Sequence, residues 1–201
     1  MEARHVISVV SSILFTVAGI WYVVDIAKSK VKPNVASFVI WSFTNASLLA
    51  SLIVKHVWVS VPLGVISTLS SLAVVILCFK TRYLHFSLAD KLAFGAGLIG
   101  LLLWVVTKNA AYNLYILAVL NLIVFTPITI KSFKHPDLET VLPWRINLAA
   151  AVCLLLAVPY ASLLQLTIPI QQLLCSLPLN LSLWRGEILK HRAVKQRSAV
   201  L

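Results

Sequence analysis

Acidic residues are scarce in this chain: six Asp and Glu among 201 residues, against seventeen Lys and Arg. Charge of either sign makes up only 11% of the sequence, less than half of the about 25% usual in a soluble domain. That shortage excludes a water-soluble enzyme and a disordered regulator. The three cysteines, Cys78, Cys153 and Cys175, each fall inside an apolar run. An odd number with no short-range pair excludes a disulfide scaffold and reads as apolar core. His5, His56, His85, His135 and His191 lie outside the apolar runs or at their edges. No His-Glu-x-x-His motif and no acid dyad is present, so neither a metal nor a catalytic site is expected. No cofactor is implied.

Apolar residues are abundant instead, at 60% of the chain with a mean hydropathy of +0.96. A membrane helix needs about 20 apolar residues, and seven of them use roughly 145, leaving about 55 for all loops and both ends. No extramembrane domain fits in that remainder. Seven runs are present: 6–27, 35–54, 57–79, 87–107, 112–130, 140–158 and 163–184. Turn chemistry separates them at Lys32-Pro33-Asn34, Lys55-His56, Lys80-Thr81-Arg82, Lys108-Asn109, His135-Pro136-Asp137 and Val158-Pro159-Tyr160. The first run exceeds a secretory h-region and no Ala-x-Ala-like site follows it, so it reads as a span.

The net charge of +11 has two readings, nucleic-acid binding or topology. Its placement decides between them. With seven spans, one side holds only Arg4, Lys55 and Lys108. The other holds Lys28, Lys30, Lys32, Lys80, Arg82, Lys91, Lys131, Lys134, Arg145, Arg185, Lys190, Arg192, Lys195 and Arg197. Such asymmetry predicts an N-outside, C-inside protein of a plasma (inner) membrane and no nucleic-acid partner. The basic tail 185–201 is expected to lie on anionic lipid.

The chain also aligns with itself at an offset of 103 residues. Tyr22 meets Phe125, Lys28-Ser29 meets Lys131-Ser132, Pro33 meets Pro136 and Trp41 meets Trp144. Softer pairs follow: Asn34 with Asp137, Ser37 with Thr140, and Thr44 with Asn147. The repeat unit is therefore three helices. Three crossings reverse direction, so one more helix must separate two parallel copies, and 87–107 supplies it. Its Ala93, Ala96, Gly97 and Gly100 permit close helix contact. The expected fold is an all-α integral membrane protein of seven transmembrane helices in a 3+1+3 parallel-repeat arrangement. Its parts are a first three-helix bundle (1–85), a linker helix (86–108), a second bundle (109–184) and the basic tail. A homo-oligomer is compatible with the sequence.

This pattern resembles the SWEET sugar transporters and the wider PQ-loop group, including the half-size SemiSWEETs. Pro127 and Lys131-Ser132 keep the family's Pro and Lys-Ser, with Ile128 in place of its Gln. The first copy keeps only Lys28-Ser29, with Val24-Asp25 where Pro-Gln stands in the family. The resemblance implies a carrier that moves a small neutral polar solute, sugar-like first of all, by alternating access and facilitated diffusion. Family hinge prolines match Pro127 and Pro143 but are replaced by Val24 and Ile40 in the first half, so hinging is expected to be lopsided. Asn180 lies in the helix corresponding to one that carries a family asparagine, and Ser70 or Ser71 is the nearest polar residue in the other copy.

Polar side chains inside spans are costly unless they face a cavity or another helix. Thr44, Asn45, Asn121, Asn147, Gln171, Gln172, Asn180 and Ser70 are the candidates for substrate binding. An amide offers donors and acceptors without charge, which suits a neutral ligand; the plain alternative is interhelical bonding. Trp41 and Trp144 read equally as gates or as an interfacial aromatic belt. Pro127, Pro143 and Pro178 are candidate kinks. Asp25, the one acid close to a span, is the candidate proton site, its alternative being an interfacial carboxylate beside Lys28. Arg145 is expected to snorkel.

Other classes fit less well. Lys80-Thr81-Arg82-Tyr83 resembles the Asp-Arg-Tyr of G-protein-coupled receptors but lacks the acid. A retinal protein needs a lysine in span seven, which has none. A PQ-loop-type sorting or ligand receptor and a proton-coupled amino-acid or vitamin carrier remain open.

Overall fold

The structure, a computed structural model, describes residues 2–33, 35–81, 109–158 and 162–198, together with nine positions between 88 and 107. Six continuous α-helices are present among the described residues: α1 (Glu2–Ala27), α2 (Val35–Val54), α3 (Val61–Thr81), α4 (Ala110–Lys134), α5 (Leu142–Ala157) and α6 (Leu163–Ser198). They correspond to predicted spans one to three and five to seven. The nine described positions of the linker span are helical too; its remaining residues, Ala93, Ala96, Gly97 and Gly100 of the small-residue pairs among them, lie outside the described part. No strand occurs among the described residues. Among the described residues five helices are long and apolar enough to cross a membrane, and α5, at 16 residues, is a shorter apolar helix.

The helices overrun the apolar runs that predict them. Helix α4 reaches Lys134 rather than Ile130, and α6 continues to Ser198 rather than Trp184. Hydropathy marks only the apolar part of a helix, while Lys, Arg and Glu propagate it readily in a polar setting. The tail expected after Trp184 is therefore a continuation of α6. At α5 the reverse holds. Pro143 occupies the first turn, where its missing N–H costs nothing, and the helix begins two residues later than expected. It ends at Ala157 because Val158, extended at φ −70 and ψ 130, precedes Pro159.

Two ends carry left-handed caps without glycine. Ser29 (φ 56) follows α1, with Ser29 N bonded to Ile26 O and Lys30 N to Asp25 O, both at 2.9 Å. His56 (φ 54) follows α2, with His56 N on Ile53 O at 3.1 Å and Val57 N on Leu52 O at 2.9 Å. Both are Schellman closures, which satisfy the last helix carbonyls.

The six helices contact one another in a closed circuit: α1 with α3, α3 with α2, α2 with α4, α4 with α6, α6 with α5, and α5 with α1. Exchanging α1 with α4, α2 with α5 and α3 with α6 carries each of these contacts onto another. Two seams join the halves, α1·α5 and α2·α4, and each holds buried polar ties. Ser11 Oγ donates to Ala150 O at 2.9 Å across the first. Asn113 Nδ2 donates to Ser51 Oγ at 2.5 Å and Ser47 Oγ at 3.1 Å across the second. Ser37 Oγ donates to Val124 O at 3.2 Å farther along that seam.

The core falls into two clusters. One packs Ile26, Val31, Val35, Val74, Cys78, Val124, Ile128, Leu179 and Leu183 toward the Lys-rich loops. The other packs Phe15, Leu48, Leu52, Leu63, Leu114, Leu117, Leu154 and Ile168 toward the opposite end. Outward the helices present Ile13, Ile20, Phe43, Leu69, Ile76, Val119, Leu156 and Leu181, all exposed. An apolar surface this extensive belongs against lipid tails rather than water.

Candidate functional site

Between the two core clusters lies a cavity of about 120 Å³. One water needs about 10–15 Å³ of such space, so several waters, or a ligand of comparable bulk, fit. All six helices contribute to its wall. Among the described residues no charged side chain lines it.

Its polar lining consists of amides and hydroxyls: Asn45 from α2, Ser67, Ser70 and Ser71 from α3, Asn121 from α4, Asn147 from α5, and Gln171 and Gln172 from α6. Several are held by neighbours that fix their pose. Asn45 Nδ2 donates to Ser67 O at 3.3 Å. Asn147 Oδ1 accepts from Ser176 Oγ at 2.9 Å and from Gln172 Nε2 at 3.4 Å. Gln171 Nε2 donates to Cys175 Sγ at 3.2 Å. Asn121 differs: it is 6% exposed and lines the cavity, and its amide bonds no described residue. An amide carries both donors and acceptors, so the Asn121 side chain can bond what occupies the cavity.

Five aromatic rings wall the cavity on the side of the Lys-rich loops. They form a closed circuit of neighbouring centroids: Tyr22–Phe38 at 5.7 Å, Phe38–Trp41 at 4.9 Å, Trp41–Phe125 at 4.8 Å, Phe125–Trp144 at 5.8 Å and Trp144–Tyr22 at 5.2 Å. Stacked, edge and tilted contacts of this kind add about 0.5–1.5 kcal/mol per pair beyond area burial. Both predicted tryptophans are thus in the wall and buried, rather than in an outward belt.

Beyond the rings lies a polar layer that joins the first Lys-Ser loop to the second. Glu139 has a fully buried carboxylate, bound to Lys131 Nζ at 2.8 Å. Its Oε1 accepts from Trp144 Nε1 at 3.2 Å. Lys131 Nζ also donates to the Lys32 carbonyl, and Lys32 N donates to Leu138 O at 3.4 Å. Asp25 Oδ2 accepts from Thr140 Oγ1 at 2.9 Å, with Lys30 Nζ 3.6 Å from its other oxygen. Three of these ties cross between the halves.

Of the residues singled out from sequence, Asn45, Asn121, Asn147, Gln172, Ser70, Trp41, Trp144 and Pro143 converge on the cavity. Thr44 and Asn180 do not line it. Thr44 Oγ1 returns to the carbonyl of Ile40 in its own helix at 3.1 Å, and Asn180 Nδ2 ties α6 to Trp144 O at 3.0 Å. Pro127 stands inside α4, away from the lining, and Pro178 inside α6. Arg145, its side chain half exposed, pairs with Glu187. Sequence reading missed Glu139, counted among loop residues. A signal was present, since the offset of 103 sets this acid against Ala36 with no counterpart. Among the described residues no group of His, Cys, Asp and Glu is arranged to hold a metal.

Comparisons of the chain with protein-family models, with curated proteins and with solved structures found no match.

Proposed function

We propose that the protein is a membrane carrier for a small neutral polar solute, with a sugar-like polyol as the leading class. The observation that carries this reading is a cavity between the two three-helix halves whose described lining is amide, hydroxyl and aromatic without charge, with the Asn121 amide on it bonding no described residue. Amides bond hydroxyls in either sense, and aromatic walls suit the apolar faces of a polyhydroxyl ring. An ion would meet no counter-charge there.

The two-half exchange of helix contacts supports a 3+1+3 repeat of the SWEET or PQ-loop kind, with α1–α3 and α4–α6 as the copies and the linker span between them. Positive charge on one side then sets the Lys-rich loops in the cytoplasm. Rocking of one half against the other about the two seams opens the cavity to either face in turn. The basic continuation of α6 lies along anionic lipid.

Uptake into proteoliposomes tests this, using labelled neutral sugars, polyols, amino acids and vitamins. Asn121→Ala and Asn147→Ala are each expected to lower uptake at least tenfold while the purified protein stays monodisperse. No flux of any solute, or normal flux in both variants, overturns the reading. Saturable binding without flux makes the protein a receptor instead.

A further inference from the structure

Glu139 joins two things that sit on opposite sides of the aromatic circuit. Through Oε1 it holds the indole N–H of Trp144, whose ring is cavity wall. Through Oε2 it holds Lys131, whose ammonium also caps the Lys32 carbonyl in the opposite half. We propose that Glu139 is a positioning residue that couples the cavity wall to closure of the Lys-rich end, with Trp144, Glu139, Lys131 and the Lys32 carbonyl as one continuous latch. The inference rests on the carrier reading, because a latch requires two halves that part.

The physical case is one of replacement. A carboxylate with a fully buried side chain is tolerated only while its partners remain. Moving the Trp144 ring draws its N–H away from Oε1, and parting the loops draws Lys131 from its carbonyl. Each motion leaves Glu139 less satisfied and so favours the other. Asp25, with Thr140 and Lys30, forms a parallel tie at the same end but touches no cavity residue through a described hydrogen bond. It closes the loops without sensing the cavity. The two acids thus divide the work, and Glu139 alone reports on occupancy.

Loop separation tests the latch without any transport measurement, so its failure is distinct from failure of the carrier reading. Nitroxides are placed at the exposed Lys28→Cys and Lys134→Cys of the full chain in lipid nanodiscs, with Cys78, Cys153 and Cys175 changed to Ala. Pulsed dipolar spectroscopy then gives the distance distribution. Glu139→Gln and Lys131→Met are each expected to reduce the short-distance population at least twofold in favour of longer distances. Trp144→Phe keeps an aromatic ring in the wall but loses the N–H with the pyrrole part of the indole, and is expected to shift the distribution the same way. Unchanged distances in Glu139→Gln and Lys131→Met overturn the latch. A shift in those two but not in Trp144→Phe overturns the coupling to the cavity. Failure of all three variants to fold makes the network a folding determinant and also overturns the proposal.

Discussion

Gly186 lies against the ring of Pro136, with no room between them for a side chain. A Cβ added to Gly186 stands 2.7 Å from Pro136 Cγ and closer still to Pro136 Cβ. This contact seats the continuation of α6 on the loop between α4 and α5. Two neighbours reinforce it: Arg185 stacks 4.1 Å over the Phe133 ring and donates to Phe133 O at 3.2 Å, and Arg145 pairs with Glu187.

Gly186→Ala is therefore expected to lift this helix segment from the loop. The proline ring cannot rotate aside, so the cost is that of overpacking, about 1–3 kcal/mol. Limited trypsin digestion at the exposed Lys190 and Arg192 reads the outcome, with cleavage several-fold faster in the variant. Equal cleavage rates refute it.

His56 holds a left-handed conformation at φ 54, which costs a non-glycine residue about 1 kcal/mol or more. His56→Gly relieves that strain while leaving the two closing backbone bonds in place. Thermal unfolding in detergent is expected to show a gain of about 1 kcal/mol. A loss of stability assigns the imidazole a contact that outweighs the backbone, its ring lying 5.7 Å from that of Trp58.

Asn113 is fully buried and ties α4 to α2 through Ser47 and Ser51. Interhelical polar bonds in membranes average about 0.6 kcal/mol and reach about 1.7. Asn113→Ala is expected to lower stability within that range and leave the affinity for any transported solute unchanged, because this residue lies outside the cavity lining. A tenfold fall in affinity with intact stability reverses the assignment.

Gly19 lets α1 approach α3, and a Cβ there meets Ser70 Oγ at 2.5 Å. A hydroxyl can rotate away, so Gly19→Ala is expected to fold normally. Gly19→Leu instead projects a bulky side chain into the cavity, since Gly19 and Ser70 both line it. Solute uptake is expected to fall at least tenfold for Leu and less than threefold for Ala. Similar uptake in both places the binding volume elsewhere.

Much of the helical layout was legible because apolar runs and loop charges speak directly to it. Val35–Val54 begins and ends where its run predicts, since Pro33 and Lys55-His56 bracket it. The site was legible in kind but not in full. Asn45, Asn121 and Asn147 stand out as amides in apolar surroundings, and the cavity collects them. Asn180 stands out equally, yet it bonds a backbone carbonyl, because an amide satisfies a neighbouring helix as readily as a ligand. Glu139 was hidden for a different reason. It precedes α5 in a loop, and only the folding of that loop over Lys131 buries it. Linear hydropathy records which residues are apolar, not which loops fold inward.

The aromatic circuit has an odd number of members. Tyr22 and Phe125 are mates at the offset of 103, as are Trp41 and Trp144, but the mate of Phe38 is Val141. Four rings come in related pairs and the fifth has none. A chamber with full twofold symmetry would offer a guest two equivalent poses, differing by half a turn. This one does not. Phe38 makes its two sides inequivalent, so in the carrier proposed above the two half-turn poses of a solute meet different walls.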